Sequence, residues 1–132
     1  MEAVRQVGGF DSNFKGVGED VDIAYRIRQT GWEIHIGTDA VFYEKRNYRL
    51  RDLWNHYVWY GYGSYTFIVK NGRAIDIIKL NPISGFLVGI YYSILAYRLI
   101  KQKRAFLLPL HYAFKRLAWC YGYLKRQVLE ET

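Results

Sequence analysis

Three carboxylates stand close together in VGEDVDIAYRIRQTGWEI, residues 17–34. Glu19, Asp20 and Asp22 fall where a helix is predicted to begin. Anions at that position meet unpaired backbone N–H groups and the positive end of the helix dipole, which stabilises a helix by roughly 0.3–1 kcal/mol per charge. A carboxylate held at a helix start beside a glycine-rich loop can also accept a proton from an incoming hydroxyl. Because the dipole weakens such a base, partial burial against substrate would have to offset it.

The elements around these carboxylates can be predicted from the spacing of apolar residues. Glycines and turn-forming residues make VGGFDSNFKG, residues 7–16, a loop. Apolar residues at helical spacing from Val21 predict a helix of about three turns, closed by Gly31. Alternating apolar residues in WEIHIG, residues 32–37, predict a half-buried strand, and AVFYE, residues 40–44, a second extended run.

The composition and the apolar spacing of the chain change after residue 48. From Arg49 onward, apolar residues at i, i+3 and i+4 spacing predict an amphipathic helix rich in Trp and Tyr. These side chains favour the headgroup zone of a bilayer, and aromatic packing against the rest of the domain explains the pattern equally well. The sequence therefore divides into a region 1–48 and an aromatic, amphipathic and membrane-associating helical region 49–132.

The segment LNPISGFLVGIYYSILAY, residues 80–97, carries no charge over 18 residues, near the lower limit for a membrane span. The basic run RLIKQKR, residues 98–104, follows it and is expected to stay cytoplasmic. A single crossing would place this run on the opposite side of the membrane from a cytoplasmic region 1–48, against the positive-inside tendency, so a re-entrant or surface-lying helical pair is favoured. The last predicted helix carries Lys115 and Arg116 in its middle, which is typical of an interfacial helix.

Positive charge is concentrated in the C-terminal part of the chain. Residues 1–79 hold 11 basic and 10 acidic residues, whereas residues 80–132 hold 8 and 2. Because the basic residues flank apolar stretches, a membrane surface on the cytoplasmic side is favoured as partner over nucleic acid. The single cysteine, Cys120, excludes an intramolecular disulfide and a multi-cysteine zinc site.

Residues 5–44 combine several short motifs: Gly-Gly-Phe-Asp, then Glu-Asp with an aspartate two positions on, an arginine one turn later, and a glycine before the predicted strand. Together they resemble the second half of the catalytic domain in family 2 glycosyltransferases of the GT-A fold. LHYAFKRLAWCYGYLK, residues 110–125, is similar to the membrane-facing helical tail of many members. The resemblance implies an α/β fold, in which a partial, Rossmann-like GT-A domain over residues 1–48 precedes amphipathic α-helices.

The resemblance also assigns roles to individual residues. Asp20 matches the general base, which deprotonates the acceptor hydroxyl for in-line, inverting attack on the anomeric carbon. Glu19 matches its acceptor-binding neighbour. The turn that borders the donor sugar is matched by Gly8, Gly9, Phe10 and Asp11.

Three further residues are interpreted differently. Asp22 and Arg26, at i and i+4, are expected to form a structural pair. Glu44 stands where many relatives have a histidine that helps to hold the metal or the diphosphate. It could offer an oxygen to Mg²⁺ or Mn²⁺, or it could be a surface strand residue.

The implied function is an enzyme that transfers a sugar from a nucleotide-diphosphate donor, with Mg²⁺ or Mn²⁺, to a saccharide or lipid-linked acceptor, as in the synthesis of cell-envelope polysaccharide. The nucleotide-binding half, with the main metal ligands, is expected upstream of residue 1 or on a separate chain, so the chain alone is expected to be inactive. The interpretation requires the Asp20 carboxylate to open into a cleft. The alternative is a non-catalytic, membrane-associated partner subunit or adaptor.

Overall fold

The computed structural model describes residues 1–14, 17–35, 37, 39–45, 49–72 and 81–131. Within these ranges the chain forms five α-helices and one 3₁₀-helix. In chain order they are α1 (Glu2–Gln6), α2 (Glu19–Gln29), α3 (Leu50–Asn71), α4 (Pro82–Ile100), the 3₁₀-helix (Lys103–Leu107) and α5 (Leu108–Glu130). Helix α5 is central to the packing, because α3 and α4 both lie against it.

The predicted α/β fold is wrong for the part of the chain that the structure describes, which is 74% helical without strand or sheet. Both predicted strands, residues 32–37 and 40–44, are irregular where they are described, and their large apolar side chains are exposed. Alternating apolar residues favour a strand, but a strand also needs a neighbour that pairs its backbone N–H and C=O groups. No described segment provides that neighbour, so the described residues of 1–48 do not form a Rossmann-like GT-A domain.

The helices predicted from apolar spacing are confirmed. Helix α2 is followed by Thr30 and then by Gly31, which has φ 88°. The aromatic helix is α3, and Arg49 is its N-cap. The uncharged segment and the last predicted helix correspond to α4 and α5. The predicted regions also include residues 15, 16, 36, 38, 46–48, 73–80 and 132, which lie outside the described residues.

Two glycines allow the start of α2 to pack closely on α3. Gly18, the N-cap of α2, has φ 90°, a conformation that costs a residue with a side chain roughly 1–2 kcal/mol. A Cβ at Gly18 would lie 3.4 Å from the carbonyl oxygen of Gly63 in α3. Gly63 itself has no room for a side chain, because Val17 fills the space beside it. The chain therefore enters α2 in direct contact with the middle of α3.

A small aromatic core holds α2 against the long helices. Its buried members are Phe14, Phe67 and Ile68, and the partly buried rings of Tyr25, Trp119 and Tyr123 pack around them. Tyr25 of α2 meets Phe67 of α3 edge to face, with 5.7 Å between the ring centroids. Such a pair is worth about 0.5–1.5 kcal/mol beyond the area that it buries. The helix that carries the three carboxylates is thus anchored to the α3–α5 pair.

Helix α4 packs on α5 through Gly85 and Gly89, and most of its apolar surface remains exposed. Asn81 caps its start by accepting the Ser84 N–H at 2.7 Å, and Pro82 occupies its first position. Among the helices that the structure describes, α4 alone is long and apolar enough to cross a membrane, judged by length and composition. Its exposed large apolar side chains are Ile83, Phe86, Leu87, Val88, Ile90, Tyr91, Tyr92, Ile94, Leu99 and Ile100.

Candidate functional site

Asp22 is the buried member of the three carboxylates, with no exposed surface. Arg26 Nε donates to one of its oxygens at 2.7 Å. Lys70 Nζ lies 3.0 Å from the other oxygen, to which Asn71 Nδ2 donates at 3.3 Å. The predicted structural pair of Asp22 and Arg26 is confirmed, and two residues from the end of α3 complete the group.

The ionisation of this group follows from its contacts. Burial raises the pKa of Asp22, but hydrogen bonds from Lys70, Arg26 and Asn71 outweigh that effect, so the pKa lies below its ordinary value of 3.8. Burial lowers the pKa of Lys70, but bonds to Asp11 and Asp22 outweigh it and hold the pKa above 10.5. Both side chains are therefore charged at neutral pH. A buried carboxylate with several partners is a structural anchor and a poor base.

Arg26 connects this anchor to the glycine loop. Its Nη1 donates to the carbonyl oxygen of Val7 at 2.5 Å, and its Nη2 to that of Gly9 at 2.7 Å. Gly8 and Gly9 have φ of 76° and 77°, and a Cβ on either would meet nothing within 4 Å. Glycine is needed in this turn for its backbone angles, since the space around it is open. Arg26 thus fixes the path of the loop relative to α2.

Lys70 makes the second connection to the loop. Its ammonium lies 2.5 Å from a carboxylate oxygen of Asp11, and Asp11 also accepts the N–H of Asn13 at 2.9 Å. The hydrogen bond from Lys70, followed by that from Asn13, holds the pKa of Asp11 below its ordinary value. The motifs in the sequence did not indicate a role for Lys70. The available signal was its isolation, because it is the only charged residue between Asp52 and Arg73 in a long aromatic run.

Glu19 and Asp20 are placed differently from Asp22. The Asp20 side chain is exposed, and one of its oxygens accepts the N–H of Val21 at 2.8 Å. Glu19 Oε2 is buried and has no hydrogen-bond partner among the described residues. A buried acceptor without a donor costs roughly 1–3 kcal/mol. The first turn of α2 therefore offers an accessible carboxylate next to an acceptor that lacks a donor.

The remaining predicted site residues are not all brought together. Phe10 is 64% exposed at the tip of the loop. Glu44 lies exposed in the irregular segment 39–45. Across the described ranges, no group of three or more His, Cys, Asp or Glu side chains could hold a metal ion. The assignment of Glu44 as a metal ligand therefore receives no support from neighbouring ligands.

Two pockets lie close to these elements. One, of about 290 Å³, is formed by the loop and the ends of α3 and α5, and is lined by Asp11, Asn13, Phe14, Thr66, Val69, Lys70 and Glu130. The other, of about 450 Å³, lies between α3 and α5. Neither includes Asp20, so neither of these two pockets supplies the cleft that a base at Asp20 requires.

A comparison with protein-family models gives a match over most of the chain. A family model described as Glycosyl transferase family group 2 matches residues 1–126, and it supports glycosyltransferase activity in general. The chain belongs to this family, as the resemblance over residues 5–44 predicted. No curated protein and no solved structure matches the chain significantly.

Proposed function

We propose that the chain supplies the acceptor-activating part of an inverting glycosyltransferase, with Asp20 as general base. The donor is a nucleotide-diphosphate sugar, and the acceptor is a saccharide or a lipid-linked saccharide. The observation that carries the proposal is the contrast between neighbouring carboxylates: Asp22 is fully buried and bonded to Arg26 and Lys70, whereas Asp20 is exposed at the same helix start. Only an accessible carboxylate can take a proton from a substrate. The cleft for the acceptor is proposed to form together with the nucleotide-binding half outside this chain.

The chemistry at Asp20 is a single displacement. The acceptor hydroxyl gives its proton to the Asp20 carboxylate while its oxygen attacks the anomeric carbon. The bond from that carbon to the diphosphate oxygen breaks, its electron pair leaves with the nucleoside diphosphate, and the configuration inverts. The N–H of Val21, which binds one Asp20 oxygen, orients the carboxylate. The partly buried side chain of Glu19, next to Asp20, would bind a second hydroxyl of the acceptor.

Donor binding is proposed to come from a nucleotide-binding half outside this chain, together with the main ligands of Mg²⁺ or Mn²⁺. The described residues offer no cluster for such an ion, so no step above depends on a metal. The chain alone is expected to neither bind nucleotide sugars nor turn them over. Measurable turnover by the purified 132-residue chain would contradict this part of the proposal.

The proposed location is the cytoplasmic face of a membrane, where the chain lies peripherally or as a re-entrant helical pair. The exposed apolar surface of α4 supports this location. Four exposed basic residues lie in the last turn of α4 and along the connection to α5, and they suit an anionic lipid surface: Arg98, Lys101, Lys103 and Arg104.

The test measures sugar transfer in native membranes. Membranes are prepared from cells that carry the wild-type gene, a deletion, or a chromosomal Asp20→Asn change, and are assayed with a panel of labelled nucleotide sugars. We expect a labelled product that requires the gene and that falls at least a hundredfold with Asp20→Asn. Glu2→Gln is the matched control, because Glu2 is an exposed carboxylate in the first turn of another helix.

The same assay distinguishes the alternative function. A product that disappears on deletion but persists with Asp20→Asn would identify the chain as a non-catalytic partner subunit or adaptor. A product that falls equally with Asp20→Asn and Glu2→Gln would show a general effect of lost charge and would contradict the proposed base.

A further inference from the structure

The pocket of about 450 Å³ between α3 and α5 has a composition unlike that of the α2 site. Helix α3 contributes the rings of His56, Tyr57 and Tyr60 to its wall, and α5 contributes Lys115, Arg116 and Trp119. None of its lining residues is acidic. Two cations and several rings therefore surround a space with no carboxylate in its wall.

The cations of this pocket lack a compensating anion in its wall. Arg116 Nε is buried and has no hydrogen-bond partner in the described part of the chain. The Lys115 ammonium lies 5.6 Å from the centroid of the Tyr57 ring. Partial loss of solvent around its ammonium lowers the pKa of Lys115, although the side chain stays exposed, and the nearby charge of Arg116 lowers it further. An oxyanion in the pocket would supply a counter-charge and relieve the repulsion between the two cations.

The position of Arg116 relative to α4 indicates where such an anion would come from. The Arg116 stem lies against Gly85, so close that a Cβ on Gly85 would be 2.6 Å from Arg116 Cγ. Gly85 is three residues after Pro82, the first residue of α4, which is about 4.5 Å along the helix axis. The two cations thus lie level with the beginning of the exposed apolar surface of α4. If α4 lies along the bilayer surface, as in the peripheral location proposed above, both ends of its apolar surface are at the level of the lipid headgroups.

We infer that the pocket binds the phosphate group of an anionic lipid headgroup. Arg116 and Lys115 bind the phosphate oxygens, and the rings of Tyr57, Tyr60 and Trp119 contact the less polar part of the headgroup. Trp119 Nε1 already donates to Ser64 Oγ at 3.2 Å, which holds the indole in the pocket wall. The inference rests on the proposed membrane location and is independent of the chemistry at Asp20.

The experiment measures binding of a monomeric short-chain lipid to the full chain in nonionic detergent, by titration calorimetry. The probes are dihexanoyl phosphatidic acid, dihexanoyl phosphatidylcholine, whose choline neutralises the phosphate, and inorganic phosphate as the soluble source. We expect phosphatidic acid to bind at least tenfold more tightly than either of the other two. Arg116→Gln and Lys115→Gln should each weaken it about tenfold. Lys125→Gln, an exposed lysine of the same helix, should change it less than twofold.

Each outcome bears on the inference. Lys115 is exposed, so Lys115→Gln keeps the test valid if Arg116→Gln, which alters the contact with Gly85, unfolds the protein. Equal weakening by Lys115→Gln and Lys125→Gln would show general charge attraction and overturn the site. Equal affinity for inorganic phosphate and phosphatidic acid would assign the pocket to a soluble anion and overturn the lipid assignment. Absence of phosphatidic acid binding would also overturn the lipid assignment. Asp20→Asn should bind phosphatidic acid like the wild type, so loss of transfer and loss of lipid binding are separable.

Discussion

The Lys70 ammonium lies 2.5 Å from an Asp11 carboxylate oxygen, although the two residues are 59 positions apart. The same ammonium lies 3.0 Å from buried Asp22. One side chain at the end of α3 therefore fixes both the glycine loop and the helix that carries Asp20. The geometry of the candidate base thus depends on the helical region that follows it in the chain.

Replacement of Lys70 tests this dependence. Lys70→Met removes one partner from the fully buried Asp22 carboxylate and the link to Asp11. Because a buried acceptor that loses its donor costs roughly 1–3 kcal/mol, we expect the free energy of unfolding to fall by about 1–2 kcal/mol, Lys70 being partly exposed. Urea unfolding in detergent measures this change. Lys125→Met, on the exposed surface of α5, is the control, and an equal loss with both variants would contradict a specific role for Lys70.

The neighbouring aspartates are expected to separate stability from catalysis. Asp22→Asn removes the buried carboxylate that Arg26 and Lys70 share, while Lys70 keeps its pair with Asp11, so the free energy of unfolding should fall by roughly 1–3 kcal/mol. Asp20→Asn, at an exposed position, should change it by less than about 0.5 kcal/mol while abolishing transfer. Urea unfolding of both variants, together with the membrane assay, checks the contrast. Similar destabilisation by both changes would mean that Asp20 is also structural.

Acid and alkali should each weaken the contact between the loop, α2 and α3. The pKa values of Asp11 and Asp22 are lowered in the folded protein, so their contribution is present above about pH 3.8 and is lost as the pH falls further. The pKa of Lys70 is raised, so its contribution is present below about pH 10.5 and is lost as the pH rises through the folded value.

Urea unfolding as a function of pH measures this dependence. The contribution of Asp11, Asp22 and Lys70 to the free energy of unfolding should be constant between about pH 5 and 10. Asp22→Asn should lose less stability below about pH 4 than the wild type does. An unchanged acid limb in Asp22→Asn would show that other carboxylates control acid unfolding.

The sequence predicted the helices and the Asp22–Arg26 pair because both depend on spacing within one segment. It failed for the sheet, because pairing between strands depends on a partner that no local pattern reveals. It also missed Lys70, which reaches Asp11 only through the way α3 folds back on the loop. The roles of Asp20, Glu19 and Glu44 stay predictions, since the resemblance assigns them and the geometry does not test them.

Gly61 and Gly8 are glycines for different reasons, so replacing each of them tests a different feature. Gly61 tests the packing of α3 on α5, and Gly8 tests the geometry of the loop. A Cβ on Gly61 would collide with the backbone of Trp119, whereas a Cβ on Gly8 would meet nothing within 4 Å. Gly61→Ala must therefore push α3 away from α5. We expect the free energy of unfolding to fall by about 1–3 kcal/mol or more, as it does when a core is overpacked. Gly8→Ala places a side chain at φ 76° and should cost only about 1–2 kcal/mol, with the helix packing unchanged.

The readouts for this pair are urea unfolding and the fluorescence of the tryptophans, since Trp119 lies at the crossing point. Gly61→Ala should shift the emission and weaken phosphatidic acid binding, because the pocket between α3 and α5 is built on this crossing. Gly8→Ala should leave the tryptophan emission and the phosphatidic acid binding unchanged. It should reduce sugar transfer, because it distorts the turn that Arg26 holds through the carbonyl oxygen of Gly9. Equal effects of the two changes on lipid binding would contradict a pocket that depends on the α3–α5 crossing.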